Sequence, residues 1–380
     1  MQRMESSTHV SDSGALSGSP YLGQNLVFII SQPKAGSTLL QRILAGHPDI
    51  QTSAETWLML HPVYALRRHG IQADYNSRWA AKGVEEFLDN YANGRETYRN
   101  GLREFARTIY GEALEQSGKR LFLDKTPRYT MIAEDLIELF PEARFVFLIR
   151  NPLAILKSEL HTYVKGDWNV LASFRPDLID APSKVLAARD AIGEDGFVVH
   201  YESLVADPET AVRQLCEFLE IDYSDSMLDY SDTPAPKGKM NDPVGIHQHT
   251  RPSTGSVEKW KAMADDSQER AFALAYLDAL GPDIIGDMGY DATELRAAMT
   301  GGGDTRQPNA VIYPWSLAIV PADRWSLKQQ ARHAYYTTGQ RQGRMAGMLA
   351  AVGTVLTRSL AAVGRLFGIG RGGQSRKPVS

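Results

Sequence analysis

Lys34, Gly36, Ser37 and Thr38 stand within five residues of one another in "VFIISQPKAGSTLLQRIL", between an apolar run and the start of a helix-like pattern. Those residue types at that spacing can hold an anion. Glycine lets the backbone turn tightly, the hydroxyls and backbone N–H groups donate hydrogen bonds, and the lysine adds a mobile positive charge. A helix N-terminus favours negative charge through its free N–H groups and its dipole. The order is not that of a Walker A loop, G-x-x-x-x-G-K-[ST], because here the lysine precedes the glycine. By itself the stretch reads equally well as a strand-to-helix turn that contains a lysine. A second set lies in "FVFLIRNPLAILKSEL", where Arg150 ends an apolar run and Ser158 follows after a Pro-containing turn and about one helical turn. That spacing lets a guanidinium and a hydroxyl converge on one phosphate at a strand's carboxyl edge, where open α/β sheets bind ligands. Alone, Arg150 reads as a surface ion-pair residue; beside the first loop it reads as a ligand-binding one.

Both sets need strands to carry them. Apolar runs at Leu26 to Ser31, Leu121 to Asp124, Phe145 to Arg150 and Gly196 to Tyr201 alternate with helical patterns. Short strands that are hydrophobic throughout belong to a parallel sheet covered on both faces. The expected class is therefore α/β, a P-loop-like three-layer fold with a mainly parallel central sheet flanked by helices. Between the first two strands, residues of about 56–119 form a mostly helical insertion rich in Trp, Tyr and Arg, suited to a lid or acceptor-binding region. Asp207 and Pro208 signal a helix start, with Val212, Leu215, Cys216 and Leu219 at helical spacing. Thr233 to Gly255 reads as a loop. The expected organisation is a disordered tail over 1–24, a main domain over 25–295, and a helical C-terminal extension over 296–380.

Bulk properties narrow the function classes. The 380 residues are 43% hydrophobic, enough for a sizeable core, and the net charge of −4 argues against a nucleic-acid partner. A lone cysteine, Cys216, allows no internal disulfide and fits a reducing, cytoplasmic setting. The N-terminal 24 residues are too polar for a signal peptide, and no run of about 18 uncharged apolar residues predicts a transmembrane helix. No His/Cys cluster has metal-ligand spacing; His247 and His249 sit two apart in a loop without a partner motif.

"QPKAGSTLLQRILAGHPDI" resembles the 5'-phosphosulfate loop of the sulfotransferases that use 3'-phosphoadenylyl sulfate (PAPS), and the Arg150 to Ser158 segment resembles their 3'-phosphate motif. The likeness extends in order through "LDKTPRY", "HYESLVADPE" and "GSVEKWK", roughly from Asn25 to Tyr290, and is nearest the branch of tyrosylprotein sulfotransferases and many bacterial enzymes. The resemblance implies PAPS as sulfuryl donor, PAP as product, no metal, and a hydroxyl-bearing acceptor: a glycan, glycolipid, lipid, phenol or peptide tyrosine. It implies that Lys34 contacts the phosphosulfate while Ala35, Gly36, Ser37 and Thr38 hold the 5'-phosphate. Arg150 and Ser158 would hold the 3'-phosphate, Tyr201 and Lys259 would contact the nucleotide, and Lys125 would neutralise charge on the moving sulfuryl group. Trp260 is either an adenine neighbour or core. Glu55 matches the branch's general base by position, and a carboxylate partly buried beside Trp57 could be tuned toward the working pH; His61 is the rival. A further arginine found in some relatives is Thr162 here, so the 3'-phosphate grip is either lighter or completed by Arg251. Two other readings stay open at this point, a P-loop-type nucleotide kinase and an inactive nucleotide-binding scaffold.

The C-terminal stretch places Arg344, Arg358 and Arg365 at multiples of seven, with Leu349, Val352, Leu356, Leu360 and Val363 on another face. A basic amphipathic helix suits the surface of an anionic membrane, which for a cytoplasmic protein is its inner face. A helix docked on the main domain or on a second subunit of a homodimer explains the pattern equally well.

Overall fold

The computed structural model describes residues 21–229, 231, 236, 238, 251–301 and 311–366. Residues 1–20 of the expected tail, and His247 and His249 with most of their loop, lie outside the described residues, as do the side chains of Val363 and Arg365.

Five strands form one sheet, all parallel: β1 (Leu26–Ser31), β2 (Ile50–Thr52), β3 (Leu121–Asp124), β4 (Arg144–Ile149) and β5 (Gly196–His200), in the spatial order β2-β3-β1-β4-β5. Phe28 pairs with Asp124 on one side and with Phe145 on the other, so β1 is central. Every residue of β1 is buried. Side chains alternate across a strand, and β1 feeds two cores. Val27 and Ile29 face a cluster with Leu40, Leu44, Leu215 and Tyr276. Leu26, Phe28 and Ile30 face a second cluster with Tyr110, Leu136, Phe140 and Phe147. This is the three-layer α/β arrangement expected from the unbroken apolar runs.

β1 and β3 match their sequence-predicted bounds, whereas β4 starts and ends one residue earlier than expected and β5 ends one residue earlier. The insertion is helical at Leu60–Tyr64, Ser77–Asp89 and Gly94–Ser117. The helix after Pro208 runs to Leu219, capped by the Asp207 side chain accepting from the Thr210 N–H, and it buries the four apolar residues that its spacing singled out. Cys216 is a free, buried thiol.

Past residue 296 the chain first returns to the main body. Tyr313, Leu317 and Ala318 are buried in the core that holds Val27 and Ile29, and Trp315 packs against the rings of Phe272 and Tyr276. A helical hairpin follows, Leu327–Gln342 and Arg344–Leu366, opened by a capping box at Ser326 and Gln329. By length and composition Arg344–Ala362 could cross a membrane, with a mean hydropathy of 1.4 and 6% of that window buried. No uncharged apolar run of about 18 residues occurs there, as expected from the sequence, because Arg358 interrupts it; the average over the window stays high in spite of that charge.

Candidate active site

Where β1 ends, the chain turns through two residues in the left-handed region, Lys34 at φ 64° and Gly36 at φ 99°, before the Ser37–Ala45 helix begins. Gly36 is required for space as well as for φ: a Cβ there would lie 2.4 Å from Cδ2 of Tyr201. No side chain caps this helix, so its first N–H groups open toward the sheet's carboxyl edge. Ala35 turns inward and is fully buried.

At the end of β4, Arg150 is 8% exposed. Its Nη1 donates to the Lys34 carbonyl at 2.8 Å, and its guanidinium lies 4.1 Å from the centre of the Tyr201 ring. Tyr201 in turn shares a 2.6 Å hydroxyl hydrogen bond with Ser256. Burial pushes the Arg150 pKa below its ordinary value against the opposing pull of Tyr201, Glu202 and Tyr290, yet an arginine remains charged at any physiological pH. Arg150 Nε is buried and has no hydrogen-bond partner. An unpaired donor in a buried cation is costly, and an anion in the adjoining space would satisfy it. The Pro152–Glu159 helix starts immediately after, with the Asn151 side chain accepting from Leu153 and Ala154. Ser158 lies nearly two turns into it, further than the single turn expected, and still reaches the same space.

That space is a cavity of about 610 Å³. Of the nine sequence-predicted nucleotide contacts, Lys34, Gly36, Ser37, Thr38, Arg150, Ser158, Tyr201 and Lys259 line it, and only Ala35 does not. Arg42, Lys157 and Arg251 also reach the wall, and no Asp or Glu does among the described residues. Trp260 lines the cavity and is buried at the same time, so it serves as both wall and core. Thr162 is on the wall too. Arg251 is held by Asp229, with Nη2 to Oδ2 at 2.6 Å.

Glu55 and Lys125 are brought together, but neither is among the residues that line this cavity. Lys125, directly after β3, has a side chain only 1% exposed, and its Nζ donates to Oε1 of Glu55 at 3.1 Å. The Trp57 indole N–H donates to the other carboxylate oxygen at 3.2 Å. His61 is exposed on the Leu60–Tyr64 helix.

Sequence reasoning passed over three carboxylates. Asp124, wholly buried before Lys125, accepts hydrogen bonds from Thr56, Tyr110, Thr126 and Tyr129 at 2.5, 2.7, 2.9 and 3.1 Å. Burial pushes its pKa up and the four hydroxyls pull it back. Asp177, 2% exposed, pairs with Arg128 at 2.8 Å; burial raises its pKa to about 6, opposed by Arg128 and helped by the charge of Glu55. Glu202 accepts from the Asn151 N–H at 3.1 Å and the Tyr290 hydroxyl at 2.7 Å, fixing the chain directly after Arg150. Glu202 and Asp124 had a local signal, their places beside Tyr201 in "HYESL" and beside Lys125 in "LDKTPRY"; Asp177 had none. No group of three His, Cys, Asp or Glu side chains that could hold a metal ion occurs among the described residues.

A model of the sulfotransferase family matches residues 26–225, which include the Lys34–Thr38 and Arg150–Ser158 segments and the Glu55–Lys125 pair. The chain belongs to the sulfotransferase family. This family member is 38% identical over 149 residues to the nodulation protein NoeE of Sinorhizobium fredii, covering 38% of this chain and 32% of that protein. It is 26% identical over 226 residues to the protein-tyrosine sulfotransferase of Drosophila melanogaster, covering 58% of this chain and 42% of that one. The chain thus spans less than half the length of these two relatives. Among solved structures, the sulfotransferase domain from the curacin biosynthetic pathway matches with a TM-score of 0.46 and 22% identity, over 64% of this chain and 92% of that domain. The family match does not favour the nucleotide-kinase reading.

Proposed function

We propose that this chain transfers the sulfuryl group of PAPS to a hydroxyl of an acceptor. The observation that carries this reading is the acid-free cavity: Lys34, Arg42, Arg150, Lys157, Arg251 and Lys259 surround it and a helix N-terminus opens into it. A donor with phosphates at both ends of a nucleoside fits such a wall, and the unpaired Arg150 Nε is a ready partner for one of them. Gly36 to Thr38 would hold the 5'-phosphate through backbone N–H groups. Arg150 and Ser158 would hold the 3'-phosphate, with Tyr201, Lys259 and Trp260 around the nucleoside, and Arg251 would join them by leaving Asp229.

When bound, the donor supplies an activated sulfuryl group with a good leaving group. The protein's part is positioning and charge stabilisation. Glu55 would accept the acceptor's hydroxyl proton as the new O–S bond forms and the S–O bond to the 5'-phosphate breaks. Lys34 would stabilise the charge returning to that phosphate, and Lys125, held by Glu55, would face the sulfuryl oxygens. The exposed Tyr75, Trp79, Phe87 and Tyr91 of the insertion offer flat apolar faces to an acceptor.

Calorimetry without metal tests the donor site. PAP should bind at least about tenfold more tightly than AMP, because a charge-assisted contact to the 3'-phosphate is worth roughly 1.5–3 kcal/mol. Equal affinity for the two would refute the assignment of Arg150 and Ser158. Labelled PAPS incubated with cell extract, followed by mass spectrometry of the labelled product, identifies the acceptor.

A further inference from the structure

The helical hairpin at the C-terminal end is built inside out. Where the Arg344–Leu366 helix packs on the Leu327–Gln342 helix, the residues it brings to the contact are small, set against Gly339 and the side chain of Tyr335. Gly347 is buried so closely that a Cβ would meet the Tyr335 carbonyl oxygen at 2.5 Å and the Gly339 Cα at 3.1 Å, and Ala350, Ala351 and Thr354 sit half-buried along the same side. The large apolar residues point away: Met345, Leu349, Val352, Leu356 and Leu360 are 57–73% exposed. At 100° per residue these five fall within an arc of about 80°, which Met348 and Val355 widen to about 140°. A hairpin shaped by water alone buries its leucines and exposes its alanines. Small residues at the helix contact and large ones outward is the arrangement helices take when their surroundings are apolar.

Charge says what those surroundings are. Residues 324–380 contain ten Lys or Arg and no Asp or Glu, so all 45 acidic residues of the chain lie before them. Arg344 and Arg358 are exposed along one edge of the apolar face. Beyond that edge an open groove of about 540 Å³ between the helices is lined by Leu327, Tyr335, Tyr336 and Val355, with Lys328 and Arg332 as its charged residues. We propose that this hairpin seats the chain on an anionic lipid surface, with the apolar face in the acyl boundary and the flanking cations at the lipid phosphates.

The hairpin lies down rather than spanning. The Leu327–Gln342 helix rests on the main body midway along its length and near its end, through His333 against Tyr313 and through Gln340 donating to Gln268 at 2.7 Å. Its partner runs antiparallel along its outer side, from Gly347 beside Gly339 to Val355 beside Leu327. Insertion across a bilayer would bury Arg358 and strip the polar first helix from its dock.

The test is co-sedimentation of the full chain with vesicles of neutral phosphatidylcholine or of phosphatidylcholine mixed with phosphatidylglycerol. The wild type should pellet with the anionic vesicles at low salt, far less with neutral ones, and be released by high salt. Arg341→Gln/Arg344→Gln/Arg358→Gln should bind the anionic vesicles roughly a hundredfold more weakly, and Leu349→Ser/Leu356→Ser/Leu360→Ser should lose binding at either salt. All six side chains are exposed, so circular dichroism and thermal unfolding should match the wild type. Failure of the wild type to pellet, or unchanged binding by the apolar variant, overturns the proposal. So does a dimer in light scattering that the apolar variant abolishes, which would assign the face to a second copy. Retention in the membrane after salt and alkaline washes would assign the helix to a span instead.

Discussion

Gly36→Ala is the smallest change that reaches the donor site through geometry alone. The new Cβ would sit 2.4 and 2.6 Å from two carbons of the Tyr201 ring, at a φ of 99° that side chains rarely adopt. The backbone term is about 1–2 kcal/mol. The ring must leave, and with it go the 2.6 Å bond to Ser256 and the stacking of Arg150 at 4.1 Å. Those contribute about 1 kcal/mol each. A total of about 3–4 kcal/mol, shared between folding and ligand binding, should weaken PAP by about a hundredfold. Calorimetry with PAP and thermal unfolding divide the two shares. In a Tyr201→Ala background the steric part vanishes, so the two substitutions should be non-additive by about 1–2 kcal/mol. Wild-type PAP affinity in Gly36→Ala, or strict additivity in the double variant, would refute the claim that glycine is there to admit the ring.

Glu55→Gln should lower turnover by roughly two to four orders of magnitude with PAP affinity nearly unchanged, and a larger loss in His61→Ala would move the base to His61. Asp177, with its pKa raised from 3.8 to about 6, holds its proton more tightly in the folded chain; its contribution is complete below about pH 4 and lost as pH rises through about 6. Asp177→Asn should therefore remove up to about 3 kcal/mol of pH dependence from urea-unfolding stability across that window, and an unaltered slope would count against it. Asp124→Asn should cost about 3 kcal/mol by aiming an amide donor at hydroxyls that already donate, an effect that an unchanged melting temperature would exclude.

The parts of the fold legible in sequence are those whose signal is local. β1 and β3 could be bounded to the residue because each is a short apolar run ended by polar residues. β2 escaped, since three residues, "IQT", carry no period and become a strand only by pairing with β3. Residues of the Lys34–Thr38 and Arg150–Ser158 segments, with Tyr201 and Lys259, line one cavity, because strand ends in a parallel sheet share an edge, whereas Glu55 and Lys125 do not line it. The Asp124 cluster was illegible because it joins Thr56, Tyr110 and Tyr129 across up to 68 residues of chain. Likewise, the pattern of the last helix showed an apolar face but not that its small side would be the one to dock.

Asp124 has a consequence for how this chain can diversify. Thr56 stands at the entrance of the insertion and Tyr110 near its exit, and both donate to the same carboxylate oxygen. The intervening stretch is therefore riveted at both ends to the strand that ends just before Lys125. Met59, Val63, Arg103 and Ala106 root it further in the body, and the Ser77–Asp89 helix between these anchors buries only Ala81 and Leu88. Under the proposed function, a graft of residues 70–93 from a relative, which spares Thr56, Trp57 and Tyr110, should change the acceptor range and leave the hold on Glu55 and Asp124 in place.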